Sequence, residues 1–262
     1  MRVIVCVKQV PETSKIQIDP ETGTLIREGV PAVLNPDDRN ALEAALRLKE
    51  THGGHVTAVT MGPPQARAVL REAYAMGADR VILVTDPVFA GSDSWATARI
   101  LAAVVKKTGP YDVILCGRQS IDGETAHVGP EIAEFLDIPQ VTCAKKIQWR
   151  EDHFVITRIT DGVDYIIEAK PPLLLTAIQE LNNPRHSPLD RFFEAFGEGI
   201  VETLSAADAG FEPGQAGFAG SPTEIYRSTP LHREKRGEII RGESVRDQAV
   251  NLMKKLKEVN ML

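Results

Sequence analysis

Two rhythms of apolar and polar residues alternate along the first half of the chain. Short unbroken apolar runs rich in β-branched residues begin at Arg2 (RVIVCV), His55 (HVTAVTMG), Arg80 (RVILVTD) and Tyr111 (YDVILCG). Each predicts a strand buried on both faces. Between them, apolar residues recur every three or four positions, the spacing of one helix face. The segment from Asn35 to Gly54 has readable ends: Asn35 as cap, Pro36 in the first turn, Asp37 and Asp38 at the positive end of the dipole, and Gly53 as stop. A second helix places Ala66, Val69, Leu70 and Ala73 on one face and ends at Gly77. A third opens with Ser92 or Asp93 as cap and stops at Gly109; a fourth follows CGRQSIDGETAHVGP, Cys116 to Pro130.

This alternation predicts an α/β fold, a parallel sheet with helices on both faces. In such sheets ligands lie beyond the carboxyl ends of the strands, near a switch in strand order. The segments KQVPET, TMGPP, TDPVFAGSDS and GRQSIDGET stand at those ends and should converge on one crevice. KIQIDPETGTLIRE, inserted after the first strand, predicts two short strands joined by a Pro/Gly turn. From about residue 140 the rhythm changes to successive antiparallel strands up to Ile178, with turns near Glu151–Asp152 and Asp161–Gly162, which would extend the sheet. The long segment from Gln179 to Ile239 is rich in Gly and Pro, with short helical patches at most; such a segment often lies on a partner. A terminal amphipathic helix carries Val245, Ala249, Leu252 and Leu256 as its stripe. The expected division is 1–180 for the α/β domain and 181–262 for a loop and C-terminal arm.

Composition narrows the function classes. A formal net charge of −6 argues against a nucleic-acid partner. No apolar run approaches the roughly 20 residues of a membrane span. Cys6, Cys116 and Cys143 are scattered, with no CxxC pair, and the six histidines are dispersed. That pattern predicts a reducing, cytoplasmic setting without disulfides, zinc or an iron–sulfur site.

The residues with most chemical promise lie in the stretch from Cys116. A strand ends at Gly117 and a helix starts near Thr125–Gly129, so exposed backbone N–H groups, helped by the Ser120 and Thr125 hydroxyls, would form an anion site. An ordinary capped strand-to-helix turn is the competing reading. Asp122 and Glu124 are expected to face solvent or cap amides, because charge repulsion keeps them from phosphate unless a cation intervenes. Ser94 and Thr97 could bond a second phosphate. Cys6 and Cys116 read as small hydrophobes, and His127 as a surface residue. No Ser–His–Asp or Cys–His pattern stands out, so any chemistry would come from a bound cofactor.

Taken together, VKQVPET, NPDDRNALEAALRLKE, MGPPQA, AMGADRVILV, CGRQSIDGETAHVGPEIAE and LNNPRHSPL resemble the β subunit of electron transfer flavoproteins over nearly the whole chain. The resemblance implies a Rossmann-like adenine-nucleotide-binding domain with antiparallel additions and an extended C-terminal arm that embraces an α subunit carrying its own flavin. By matched position, it implies a nucleotide site of Cys6, Asn35, Pro36, Asp37, Asp38, Met61, Gly117, Arg118, Gln119, Ser120, Ile121, Asp122, Gly123, Glu124, Thr125, Ala126, His127 and Val128. One branch of the family holds structural AMP there. Another, the electron-bifurcating branch, holds a second FAD reduced by NADH, and GSDSWATA and AGSPTEIYRSTP look more like that branch. FAD is therefore expected, with AMP as the alternative, and Asp93, Ser94 and Thr97 near its diphosphate. Implied partners are the α subunit, ferredoxin or flavodoxin, and a flavin dehydrogenase or quinone oxidoreductase. That last partner would be anchored by Leu189, with Arg185 in the same recognition loop. His186 replaces the usual aromatic and Pro188 precedes the leucine, which leaves that partner's identity open.

Overall fold

A computed structural model of the chain describes residues 1–12, 17–18, 25–26, 31–212, 214–224 and 237–261. The turn expected within KIQIDPETGTLIRE and the IYRSTP part of the C-terminal segment lie outside the described residues. Backbone contacts divide the chain into two units, Met1–Arg227 and Ser228–Leu262.

The elements of the first unit follow in chain order. Strands β1 (Arg2–Cys6), β2 (Gln9–Pro11), β3 (Gln17–Ile18), β4 (Leu25–Ile26) and β5 (Ala32–Leu34) precede α1 (Pro36–His52). Then come β6 (His55–Met61), α2 (Arg67–Met76), β7 (Arg80–Val84), α3 (Ser94–Thr108), β8 (Val113–Gly117) and α4 (Val128–Leu136). Strands β9 (Gln140–Arg150), β10 (His153–Thr160), β11 (Val163–Ala169) and β12 (Leu173–Ala177) are followed by α5 (Leu189–Glu194), β13 (Val201–Leu204), α6 (Ala206–Ala209) and α7 (Gly217–Gly220). Nine strands form one sheet in the order β11-β10-β9-β12-β8-β1-β6-β7-β13, parallel from β9 to β13 and antiparallel over β9, β10 and β11. The antiparallel pairs β2–β5 and β3–β4 stand apart from it.

The four early apolar runs form buried strands because both of their faces meet helices. On one face Val3, Val5, Leu83, Leu115 and Leu175 pack with Leu42, Leu46 and Leu70 of α1 and α2. On the other, Ile4, Ile82, Ile114 and Leu174 pack with Ile100, Val104 and Ile132 of α3 and α4. From β1 the chain moves outward through β6 to β7, then returns to place β8 on the other side of β1. The switch in strand order therefore lies between β1 and β8, and their carboxyl ends define the crevice.

Two strands differ from the sequence expectation. β12 is not part of the antiparallel run. It lies between β9 and β8, parallel to both, and all five of its residues are buried. Its unbroken LLLTA run, without alternation, has the composition of a central parallel strand. The Gly/Pro-rich segment supplies more than helical patches: β13 pairs with β7 and extends the sheet past residue 180. Its four residues VETL carry too short a pattern to separate from loop. The turns at Glu151 and Asp161–Gly162 are as expected, with Glu151 at φ 50°, Asp161 at 52° and Gly162 at 76°.

In the second unit, α8 (Val245–Glu258) begins with a reciprocal capping box between Ser244 and Asp247. Lys255 pairs with Glu238 at 2.9 Å. Val245, Val250, Leu252 and Met253 are exposed. No helix among the described residues is long and apolar enough to cross a membrane.

Candidate functional site at the strand-end crevice

The crevice is built where the start of α1 meets the ends of β1 and β8. Asn35 occupies the cap position of α1, but its side chain makes no capping hydrogen bond. Instead its Nδ2 donates to the Gln119 carbonyl at 2.9 Å, and its Oδ1 accepts from the Ile121 N–H at 3.2 Å. The expected cap is thus corrected: this fully buried amide holds the β8–α4 loop. Asp38 Oδ1 accepts from the Gly117 N–H and Oδ2 from the Lys8 N–H, both at 2.8 Å. One carboxylate therefore joins the ends of the two strands that flank the switch. Burial, foremost, pushes its pKa up to about 7. Gly117 has to be glycine, since a Cβ there would lie 2.4 Å from Asp38 Oδ1 and 2.7 Å from the Asp38 backbone nitrogen. Burial likewise raises Asp37, which stands 3.8 Å from the Arg118 guanidinium.

The loop from Arg118 to His127 runs without regular structure between β8 and α4. Glu124 and Ala126 adopt left-handed φ angles of 51° and 56°, costly for residues with a Cβ. Among the described residues, the N–H groups of Gly123, Thr125, Ala126, His127 and Val128 find no acceptor. Thr125 and His127 are exposed, and α4 starts at Val128 with no side-chain cap. Asp122 departs from the expectation that it faces solvent. Its side chain is 7% exposed and bonds the Lys8 ammonium at 2.7 Å, and the same ammonium lies 3.2 Å from Ser120 Oγ. Burial works against ionisation of Asp122, but the contacts to Lys8 hold its carboxyl below the usual range.

The second wall is the start of α3. Asp93, not Ser92, is its cap, accepting from the Ala96 N–H at 2.9 Å. The other Asp93 oxygen accepts from the Thr223 N–H at 3.0 Å and the Thr223 hydroxyl at 2.7 Å, tying residues 221–223 to this corner. Ser94 donates to Glu131 Oε1 at 3.2 Å, which sets the first turns of α3 and α4 side by side. Glu131 Oε2 is buried without a partner among the described residues. Thr97 lies one turn further along α3, half-buried. Cys6 and Met61 end the neighbouring strands β1 and β6; burial pushes the Cys6 thiol up to about 12, so it stays a neutral small hydrophobe.

The electron transfer flavoprotein domain family matches residues 22–209, most of the chain. The chain is 46% identical to an electron transfer flavoprotein subunit beta of Thermoanaerobacterium thermosaccharolyticum over 262 residues, covering 100% of both. It belongs to the electron transfer flavoprotein β-subunit family. It is also 46% identical to the CarD subunit of the caffeyl-CoA reductase-Etf complex of Acetobacterium woodii, covering 100% of both chains. Against the acryloyl-CoA reductase electron transfer subunit gamma of Anaerotignum propionicum the identity is 42%, covering 97% of this chain and 99% of the other. Membership of the electron transfer flavoprotein family implies the involvement of flavin or AMP.

In this electron transfer flavoprotein subunit, the segment from Asn182 to Arg185, expected to belong to a recognition loop, is bolted to α1. Arg185 Nε donates to Glu43 Oε2 at 2.8 Å, and its other nitrogens bond Glu43 and Glu50. Asn40 and Asn182 exchange hydrogen bonds at 2.7 and 3.0 Å, and Arg47 donates to the Asn183 carbonyl at 3.2 Å. Burial opposes ionisation of Glu43, yet the bonds from Arg185 and Arg47 hold its carboxyl below the usual range. Arg185 is thus turned inward as an anchor. Leu189, the first residue of α5, is 71% exposed and so is not a core leucine; Phe192, Phe193 and Phe196 are exposed beside it.

Lys8, Asn40, Glu43 and Glu131 are functional candidates that sequence reasoning missed. All four lie within motifs quoted for the family, but no local pattern predicts their distant partners.

Proposed function

We propose that this β subunit holds FAD in the strand-end crevice and, paired with an α subunit, passes electrons from NADH by flavin-based bifurcation. One path leads to the α-subunit flavin and a dehydrogenase or quinone oxidoreductase, the other to ferredoxin or flavodoxin. The observation that carries the FAD reading is the Ser94–Glu131 bond, which places two helix starts in contact. Two adjacent positive dipole ends suit a diphosphate, whereas a single phosphate needs only one. The N–H groups around Thr125 to Val128, free among the described residues, fit the same anion. The names of the relatives from reductase complexes support a reductase or dehydrogenase partner.

The flavin supplies hydride and single-electron transfer when bound. The chain's own residues supply the frame. Asn35 and Asp38 fix the loop and the two strand ends, the amides of the loop and the α4 start neutralise phosphate charge, and Asp93 closes the corner at α3. In this reading the α/β domain, whose sheet includes β13, carries the nucleotide, and the C-terminal arm packs on the α subunit. Anaerobic titration of the purified heterodimer with NADH tests the donor: bleaching of flavin absorbance is expected at about stoichiometric NADH. No bleaching on NADH, with full bleaching by dithionite, contradicts it.

A further inference from the structure

The loop offered to phosphate contains a nearly buried carboxylate. Asp122 has a side chain only 7% exposed, and it directly precedes the run from Gly123 to Val128 whose N–H groups would receive the anion. An uncompensated charge there would repel a phosphate with little screening. Lys8 meets it from the end of β1, at 2.7 Å, and also reaches Ser120 Oγ at 3.2 Å. The Lys8 side chain is 45% exposed, and an ammonium carries three donors, so a third remains directed elsewhere. The Lys8 backbone takes part as well: its N–H donates to Asp38 and its carbonyl accepts from the Asn35 N–H at 2.9 Å. Lys8 is therefore held by the residues that hold the loop.

Resting on the nucleotide reading above, we propose that Lys8 is a positioning residue for the adenine-nucleotide phosphate, acting by neutralising Asp122. The pair is itself neutral, so the Asp122 charge no longer opposes the backbone amides at the anion. The role runs through Asp122, so removing Lys8 harms binding only while the Asp122 charge remains.

The test uses the β subunit in complex with its α subunit, depleted of the crevice nucleotide, and measures dissociation constants for AMP and for FAD in excess of the α-subunit flavin. Lys8→Met should weaken both by about tenfold or more, and Lys8→Arg should stay within about threefold of wild type. Lys8→Met combined with Asp122→Asn should recover to within about threefold. Asp122→Asn alone, which keeps Lys8 and does not depend on the other variant folding, should bind at least as tightly as wild type. Unchanged binding in Lys8→Met, no recovery in the double variant, or weaker binding in Asp122→Asn would each overturn the proposal alone. A wild-type complex that takes up neither AMP nor FAD in the crevice overturns the nucleotide reading, and this proposal with it.

Discussion

Asp38 serves two strand ends with one carboxylate, and its burial makes that service depend on pH. The folded protein raises its pKa from 3.8 to about 7, so the folded state binds this proton more tightly than the unfolded chain does. Its contribution to stability is fully present below about pH 4 and is lost as pH rises through about 7. Asp38→Asn removes the titration and one of two acceptors, at a cost of about 1–3 kcal/mol. Denaturant unfolding of both proteins should show the wild-type advantage shrinking between pH 4 and 7; an advantage that grows with pH would contradict the assignment. Leu189 calls for a different experiment. Burying one exposed leucine at a partner contributes roughly 1.5–3 kcal/mol, or about 10- to 100-fold in affinity. Leu189→Ala should weaken electron delivery to the dehydrogenase by about that factor while flavin content and heterodimer stay intact. Loss of flavin would mean that the leucine supports the fold instead.

Helix α1 is the element on which both candidate surfaces depend. Its start carries Asn35, Asp37 and Asp38 at the crevice, and its middle carries Asn40, Glu43 and Arg47 under the recognition loop. Arg185→Ala would leave Glu43, almost fully buried, with Arg47 alone, and should cost about 2 kcal/mol, toward the low end for a broken buried pair because Arg185 is partly exposed. Thermal unfolding should fall by roughly 4–8 °C, and Arg185→Lys should not restore it, since an ammonium cannot grip two carboxylates as a fork. An unchanged melting temperature would show that the loop is held by other contacts. The elements themselves were legible because the apolar runs and the caps are local: Gly53, Gly77 and Gly109 end their helices as read. What side chains do at the crevice was not legible. Asn35 and Gln119 are 84 residues apart, Asp38 and Gly117 are 79, and Asp93 and Thr223 are 130. The motif located the crevice through backbone geometry, while cap-type residues there were drawn to long-range partners that no window of sequence contains. β13 escaped for a related reason, since its four residues become a strand only by pairing with β7.

For the whole molecule, the strand order and the helix positions converge on one place. The switch between β1 and β8, the loop after β8 and the joined starts of α3 and α4 form one corner, to which residues 221–223 are tied through Asp93. A nucleotide ending at AMP would use the loop and leave the α3 start idle; a dinucleotide would use both. The decisive measurement is therefore the cofactor content of the purified heterodimer, released by denaturation and separated by chromatography. The account predicts two FAD and no AMP per heterodimer. One FAD together with one AMP would contradict it.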